Sequence, residues 1–347
     1  MNTADLYCRL AADCGAVALA CLKPQDFADA SALEAKFAAW EKAGNEGLFA
    51  YLDRKHEIFC HPFATRPWAR SLLCLTFLPR PWPENPLYSL PAPRPGRPAA
   101  RLAAYYLNED YHRTGHAILH DLRLALSSYF PAQASEDIHW EPCVDSGNVW
   151  EKFCCVMGGL GGFGRNSLLR SAAFGSRCHL AAVCTSLDLP RHVLVPEDTG
   201  CGPCRRCLQA CPSGVLNLDG QPDFRRCCSY LSGEKSGPLT WEEQVLLNGR
   251  LLGCSCCTAA CPAPALPPPQ DLLADAEDIL RLPTAALARM LKGTAAEHPG
   301  PVKLKRNAAA ALGSQWPPET RAARQQELLA LTASDTIRQT IACWPSL

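Results

Sequence analysis

The chain carries no net charge: 34 lysines and arginines balance 34 aspartates and glutamates over 347 residues. Bulk electrostatics therefore exert no general pull on a polyanion, although a local basic patch is compatible with that balance. No apolar run reaches membrane length; Cys14 to Leu22 is far too short to span a bilayer. The opening Met1-Asn-Thr-Ala-Asp5 has neither a basic n-region nor a twin-arginine pair, so a cytoplasmic protein with reduced thiols is expected. A secreted disulfide framework is the wrong class for so long a chain. What the sequence has in quantity is cysteine, 21 residues, and proline, 30.

Eight of those cysteines are ordered. Cys201, Cys204, Cys207 and Cys211, followed by Pro212, form C-x2-C-x2-C-x3-C-P. Cys254, Cys257 and Cys261, followed by Pro262, form a shortened C-x2-C-x3-C-P, and Cys227 stands between the runs. Thiolates two residues apart wrap one cube of iron and sulfur, and the last cysteine of each run ligates the other run's cluster. The crossed pattern assigns Cys201, Cys204, Cys207 and Cys261 to one 4Fe-4S cluster and Cys211, Cys227, Cys254 and Cys257 to a second. Zinc needs only four ligands at looser spacing, and two crossed sites of this kind are rare for it. The other thirteen cysteines are expected to act mostly as small buried hydrophobes.

Three regions follow from the patterning. Residues 1–195 alternate helix and strand signals and read as an α/β domain. Within it, Ser31-Ala-Leu-Glu34 reads as a capping box ahead of a helix with Leu33, Phe37 and Trp40 on one face. Ser71 to Leu78, Ile138 to Val144 and His179 to Thr185 read as strands, and Ile118, Leu122, Ala125 and Tyr129 as a helical face. Prolines between Pro79 and Pro98 force a loop. Residues 196–264 form a ferredoxin-like double-cluster module, five prolines from Pro262 to Pro269 make a stiff linker, and 270–347 is a short helical, HEAT-like repeat.

Gly159-Leu-Gly161-Gly-Phe-Gly164 matches G-x-G-x-x-G literally. A dinucleotide fold needs a strand before it and an acid about twenty residues on. Trp150 to Met157 instead reads as a helix. Backbone cradling of a flat or anionic cofactor suits the glycines better, with a plain turn as the alternative.

Several segments in order then resemble the epoxyqueuosine reductase family, cobalamin-dependent iron–sulfur enzymes of tRNA modification. Asp110-Tyr111-His112 is similar to the family's D-Y-H, Val144-Asp145-Ser146 to V-D-S/T, and Gly159 to Asn166 to G-L-G-W-I-G-K-N. Arg306-Asn307-Ala-Ala-Ala-Ala-Leu312-Gly313 resembles R-N-x-A-x-A-L-G. Departures fall at Asn108-Glu109, at Gly162-Phe163, at Arg165 in place of lysine, and after Cys261-Pro262. Extra cysteines stand at Cys154, Cys155, Cys178, Cys184, Cys228 and Cys256.

The resemblance implies a two-electron reduction of epoxyqueuosine to queuosine in tRNA, with two 4Fe-4S clusters, cobalamin and an external donor such as a flavodoxin or ferredoxin. It places Asp145 as the first proton donor, Asp110 as the second, and His112 as an orienting or relaying group. Tyr111, Ser146, Gly159, Gly161, Gly164, Arg165 and Asn166 become cobalamin-binding, and Lys303, Lys305 and Arg306 contacts to tRNA phosphates. Two other readings remain open: a cobalamin iron–sulfur reductase of a non-tRNA substrate, similar to reductive dehalogenases, and a two-cluster electron carrier without cobalamin.

Overall fold

The strand Ser71–Phe77 is buried at every residue, and its two-residue alternation serves two cores at once. Leu73, Leu75 and Phe77 face one core, and Leu72 and Cys74 the other. In this computed structural model, which describes residues 2–29, 31–40, 42, 59–131, 138–145, 149–195, 200–216 and 222–345, the chain divides into two compact units.

The first unit comprises Met1–Arg80, Tyr111–Arg206 and Cys261–Pro267. Its sheet runs in the order Ala18–Leu22, Ser71–Phe77, His179–Thr185, Trp140–Cys143, and every pair is antiparallel. The helix-and-strand layer is thus present, with a pairing direction that alternation alone does not fix. On one face pack the helices Thr3–Cys14 and Tyr111–Tyr129, through Leu6, Leu10, Ile118, Leu122 and Leu126. Asn2 caps the first by accepting from the Asp5 N–H, and Gly15, at φ 79°, ends it. The helix Glu151–Met157 covers the other face, with Cys154 and Cys155 against Cys74, Cys143 and Cys184. These cysteines are filler that lets a helix approach closely: a Cβ on Gly158 would lie 3.0 Å from Cys74 Sγ. Nine of the thirteen cysteines outside the pattern are buried. Burial pushes the Cys154 and Cys155 thiols up, which keeps them protonated and inert.

The expected helix near residue 31 spans Ser31–Trp40, with Phe37 buried. Its start differs from a capping box. The Asp29 carboxylate accepts from the Ser31 N–H, and Glu34 pairs with His61 at 3.1 Å. The side chains of Leu33 and Trp40 lie outside the described residues.

The second unit comprises Pro81–Asp110, Cys207–Ala260 and Pro268–Leu347. Its sheet places Ala99–Leu102 between Arg250–Leu252, parallel, and Leu272–Asp275, antiparallel. The proline-rich segment thus ends in a strand that belongs with later parts of the chain, so the spatial units do not follow divisions at 195 and 264. The helix Gly300–Gln315 is central, with Ala308 to Leu312 wholly buried among the helices Ala276–Arg281, Thr284–Leu291, Trp241–Leu247 and Asp335–Ala342. Its alanines and Gly313 allow that approach; a Cβ on Gly313 would meet Trp344 Nε1 at 2.2 Å. No helix among the described residues is long and apolar enough to cross a membrane.

Candidate cluster and cofactor sites

Asp145 follows the strand Trp140–Cys143 with φ 53°, in the left-handed region that costs a residue with a Cβ energy unless its surroundings hold it there. Two groups do so. The Tyr111 hydroxyl donates to Asp145 Oδ2 at 2.6 Å, and the Asp145 N–H donates to Glu151 Oε1 at 2.7 Å. The same Glu151 oxygen accepts the Cys143 thiol at 2.9 Å. Burial raises the Glu151 carboxyl, and burial also lowers the neighbouring Lys152 ammonium against the pull of Asp145 and Glu151. Asp145 itself is exposed.

Tyr111 is fixed by stacking. Its ring lies 4.0 Å from His112 and 4.9 Å from His179, nearly parallel to the latter, and His179 leans on Phe77. The first unit therefore brings together Tyr111, His112 and Asp145. Asp110 ends a segment of the second unit. Ser146 lies outside the described residues. Sequence reasoning missed Glu151, although it stands only six residues after Asp145, at the start of the helix Glu151–Met157.

The glycine run has a different reason from the one expected. A Cβ on Gly159, at φ 74°, would lie 1.9 Å from the Leu194 carbonyl oxygen; on Gly161, 2.6 Å from that of Arg170; on Gly164, 2.6 Å from Asn166 Oδ1. The space the glycines leave is filled by the chain's own atoms, so cofactor cradling is not what requires them. Arg165 and Asn166 lead instead toward the cysteines. The Arg165 N–H donates to Cys201 Sγ at 3.4 Å, and its guanidinium donates to the Gly202 carbonyl at 2.8 Å. Asn166 is buried; its Oδ1 accepts from the Leu168 N–H and the Ser176 hydroxyl, while its Nδ2 has no partner among the described residues.

Of the eight patterned cysteines, Cys201, Cys204 and Cys261 belong to the first unit and the others to the second. Cys204 closes a turn on the Cys201 carbonyl. Cys207 lies within the short helix Arg206–Ala210 and Cys211 directly follows it, and both pack with Cys227 and Cys257 around Val215 and Leu216. Burial, then the neighbouring thiols of Cys254, Cys227, Cys211 and Cys207, push Cys257 up to about 12. The four cysteines assigned to the second cluster are thus neighbours. Mutual repulsion among their thiolates is what bound iron offsets, so this donor set fits a cluster.

Two extra cysteines border that group. Cys228 is buried and donates to the Leu246 carbonyl at 3.1 Å. Cys256 accepts from an Arg250 terminal nitrogen at 2.8 Å. Arg250, another residue that sequence reasoning missed, lies in a short buried strand and places a charge beside Cys254 and Cys256.

The expected phosphate patch needs correction. Arg306 is fully buried and donates to the carbonyls of Leu231, Lys235 and Gly237 at 2.6, 2.7 and 3.0 Å. Asn307 beside it donates to the Ser232 and Leu251 carbonyls. Burial pulls the Arg306 guanidinium down to about 10, which leaves it charged at neutral pH. It is an internal fastener and has no face for a phosphate. Lys303 is half-buried, with its ammonium on the Gly233 and Glu234 carbonyls, and Lys305 is half-buried.

Comparison with known proteins agrees with these features. Residues 200–264 match the 4Fe-4S double cluster binding domain, so the cysteine module carries two such clusters. The epoxyqueuosine reductase of Shewanella oneidensis is 28% identical over 234 residues, which cover 67% of this chain and 58% of that protein. The chain thus spans a little over half the length of the curated relatives it matches. The structure of epoxyqueuosine reductase from Streptococcus thermophilus superposes with a TM-score of 0.77 at 21% identity, over 98% of this chain and 89% of that one. An epoxyqueuosine reductase bound to a tRNA-Tyr epoxyqueuosine-modified stem loop gives 0.75 at 21% identity, over 99% and 98%. Those structural likenesses show a common fold. With the double-cluster module, the chain is similar to the epoxyqueuosine reductases in fold and over part of its sequence.

Proposed function

We propose that this protein reduces epoxyqueuosine to queuosine in tRNA, in the cytoplasm, with electrons from an external one-electron carrier such as a flavodoxin or ferredoxin. The balance is two electrons and two protons taken up, the epoxide C–O bonds broken, an alkene formed and water released. Cobalamin, when bound, would supply the two-electron nucleophilic chemistry, and the two clusters would supply one-electron carriers. The chain's own task is to position groups and move protons.

One observation carries the reading: an exposed carboxylate, Asp145, held in a left-handed backbone by the Tyr111 hydroxyl and the half-buried Glu151. That expenditure on one carboxylate suits a general acid better than a surface residue. Tyr111 orients the carboxylate through its short hydrogen bond, and the His112–Tyr111–His179 stack keeps the phenol in place. Protonated Asp145 then donates to the epoxide oxygen as it leaves. Asp110 serves as the second candidate acid. Tyr111 and Arg165, with backbone amides of the Gly159–Gly164 loop, are the groups available to hold cobalamin. Lys303 and Lys305 remain the basic groups for tRNA phosphates.

The test is nucleoside analysis of tRNA from a bacterial strain lacking its own epoxyqueuosine reductase. Queuosine reappears when the native chain is supplied and does not when Asp145→Asn is supplied. If the native chain restores none while holding both clusters and cobalamin, the substrate is not tRNA epoxyqueuosine. If Asp145→Asn restores queuosine and Asp110→Asn does not, Asp110 is the acid.

A further inference from the structure

Three consecutive residues of the first unit approach the last cysteine of the pattern, each in a different way. Gly175 sits at φ 57°, where a Cβ would meet the Pro262 carbonyl at 2.5 Å and Cys261 Sγ at 3.1 Å. Only glycine lets the chain pass so near. Arg177 reaches over the same segment and donates to the carbonyls of Cys261, Leu266 and Pro267 at 3.0, 3.0 and 2.6 Å, which pins the proline linker. Between them, Ser176 is 5% exposed and holds its Oγ 3.5 Å from Cys261 Sγ and 3.3 Å from Asn166 Oδ1. The turn behind them is closed by paired backbone hydrogen bonds between Ser171 and Gly175.

A hydroxyl has one proton to give, and Ser176 has two acceptors to serve. While Cys261 is a free thiol the conflict is absent. The thiol is a weak acceptor and directs its own proton to the Pro262 carbonyl, so the Ser176 proton is free to serve Asn166 Oδ1. On iron, Cys261 is a thiolate and can only accept. The Ser176 proton then turns to sulfur, because a charged acceptor outcompetes an amide oxygen. Asn166 Oδ1 keeps the Leu168 N–H, so nothing is stranded by the exchange. Asn166 Nδ2 is buried and has no partner among the described residues. The Arg165 amide on Cys201 is a second donor to a cysteine assigned to the same cluster.

We propose that Ser176 is a tuning residue for the cluster that Cys261 ligates, its hydroxyl donating to the Cys261 thiolate. Hydrogen bonds to ligand sulfur favour the more negative, reduced state of a cluster and raise its potential. The inference rests on the reading that Cys261 ligates iron. It concerns electron transfer, not the acid at Asp145, so the two fail separately.

The test is a redox titration of the anaerobic holoprotein followed by electron paramagnetic resonance, with iron counted on the same samples. Ser176→Ala keeps the iron content of the native protein, and one of the two cluster transitions moves to more negative potential while the other stays. The expected change is on the order of tenfold in that cluster's reduction equilibrium, about 59 mV for one electron. Ser176→Thr, which keeps the hydroxyl, titrates like the native protein. Two unmoved transitions in Ser176→Ala overturn the proposal, as does an equal shift in the threonine variant. Loss of iron from Ser176→Ala overturns it too, since the residue would then hold the cluster together instead of tuning it. A native protein without iron at Cys261 removes the premise and is recognised by its iron count alone.

Discussion

The two units each carry a segment that resembles the family strongly, and the segments do opposite things. In the first unit, Val144-Asp145-Ser146 puts a carboxylate at the surface in a costly backbone conformation. In the second, Arg306-Asn307 with its alanines is entirely buried and ties a helix to the 231–237 turn. One segment is kept for what it presents, the other for what it holds. A charged residue in a family signature is therefore no guide to function until its burial is known. Arginine in a run of alanines on a central helix belongs to packing, where five donors can satisfy carbonyls that no apolar residue could.

The comparison is broken most severely if Asp145 proves structural. Asp145→Asn is expected to lower turnover by about two to four orders of magnitude, with thermal stability and iron content unchanged. Single-turnover kinetics with urea unfolding of the same sample measure both. A stability loss that matches the loss of rate would merge the two segments into one class.

Next in size is Arg306→Ala. It strands the carbonyls of Leu231, Lys235 and Gly237 in the interior, for a loss of about 3 kcal/mol or more in unfolding free energy. The slope of tRNA affinity against salt should not change, because no phosphate contact is removed. A slope reduced by about one unit would return Arg306 to the nucleic-acid surface.

Glu151 sharpens the comparison from within the first unit, since it is half-buried and serves an exposed group. Its carboxyl is raised by burial, so its contribution to stability is complete below the ordinary carboxylate range and is lost as pH rises through the raised value. Glu151→Gln keeps an oxygen for the Asp145 N–H and should flatten that part of the pH–stability curve. Glu151→Ala should cost about 1–3 kcal/mol and lower turnover as Asp145 loses its anchor.

The smallest effect is expected at Cys256. It adjoins cluster ligands and pairs with Arg250, yet lies outside the assigned set. Cys256→Ala should keep the native iron content, whereas Cys257→Ala should lose about half of it. The reverse result would shift the register of the second motif by one residue.

Much of this was legible in the sequence because it is local. The strand His179–Thr185 was read to the residue, and the Ser71 strand to within one, since continuous apolar runs bounded by turns leave little choice. The cysteine module was legible because ligand geometry fixes spacing. What depended on distant partners was not. The strand Ala99–Leu102 was hidden behind prolines and pairs with residues some 150 positions later. The antiparallel pairing leaves no mark on the order of helices and strands. Ser176 meets a cysteine 85 residues away and has no periodic signal at all. The glycine run was seen correctly as a place of close approach, but the approaching atoms belong to Leu194 and Arg170.

The most direct test of the central claim is conversion in a defined system. Anaerobic protein with both clusters loaded, cobalamin, a chemical reductant and an epoxyqueuosine-modified tRNA stem loop are mixed, and the nucleosides are read by mass spectrometry. The prediction is queuosine at the expense of epoxyqueuosine, dependent on cobalamin and nearly abolished by Asp145→Asn. Unchanged epoxyqueuosine in the presence of reduced clusters and bound cobalamin would contradict the account.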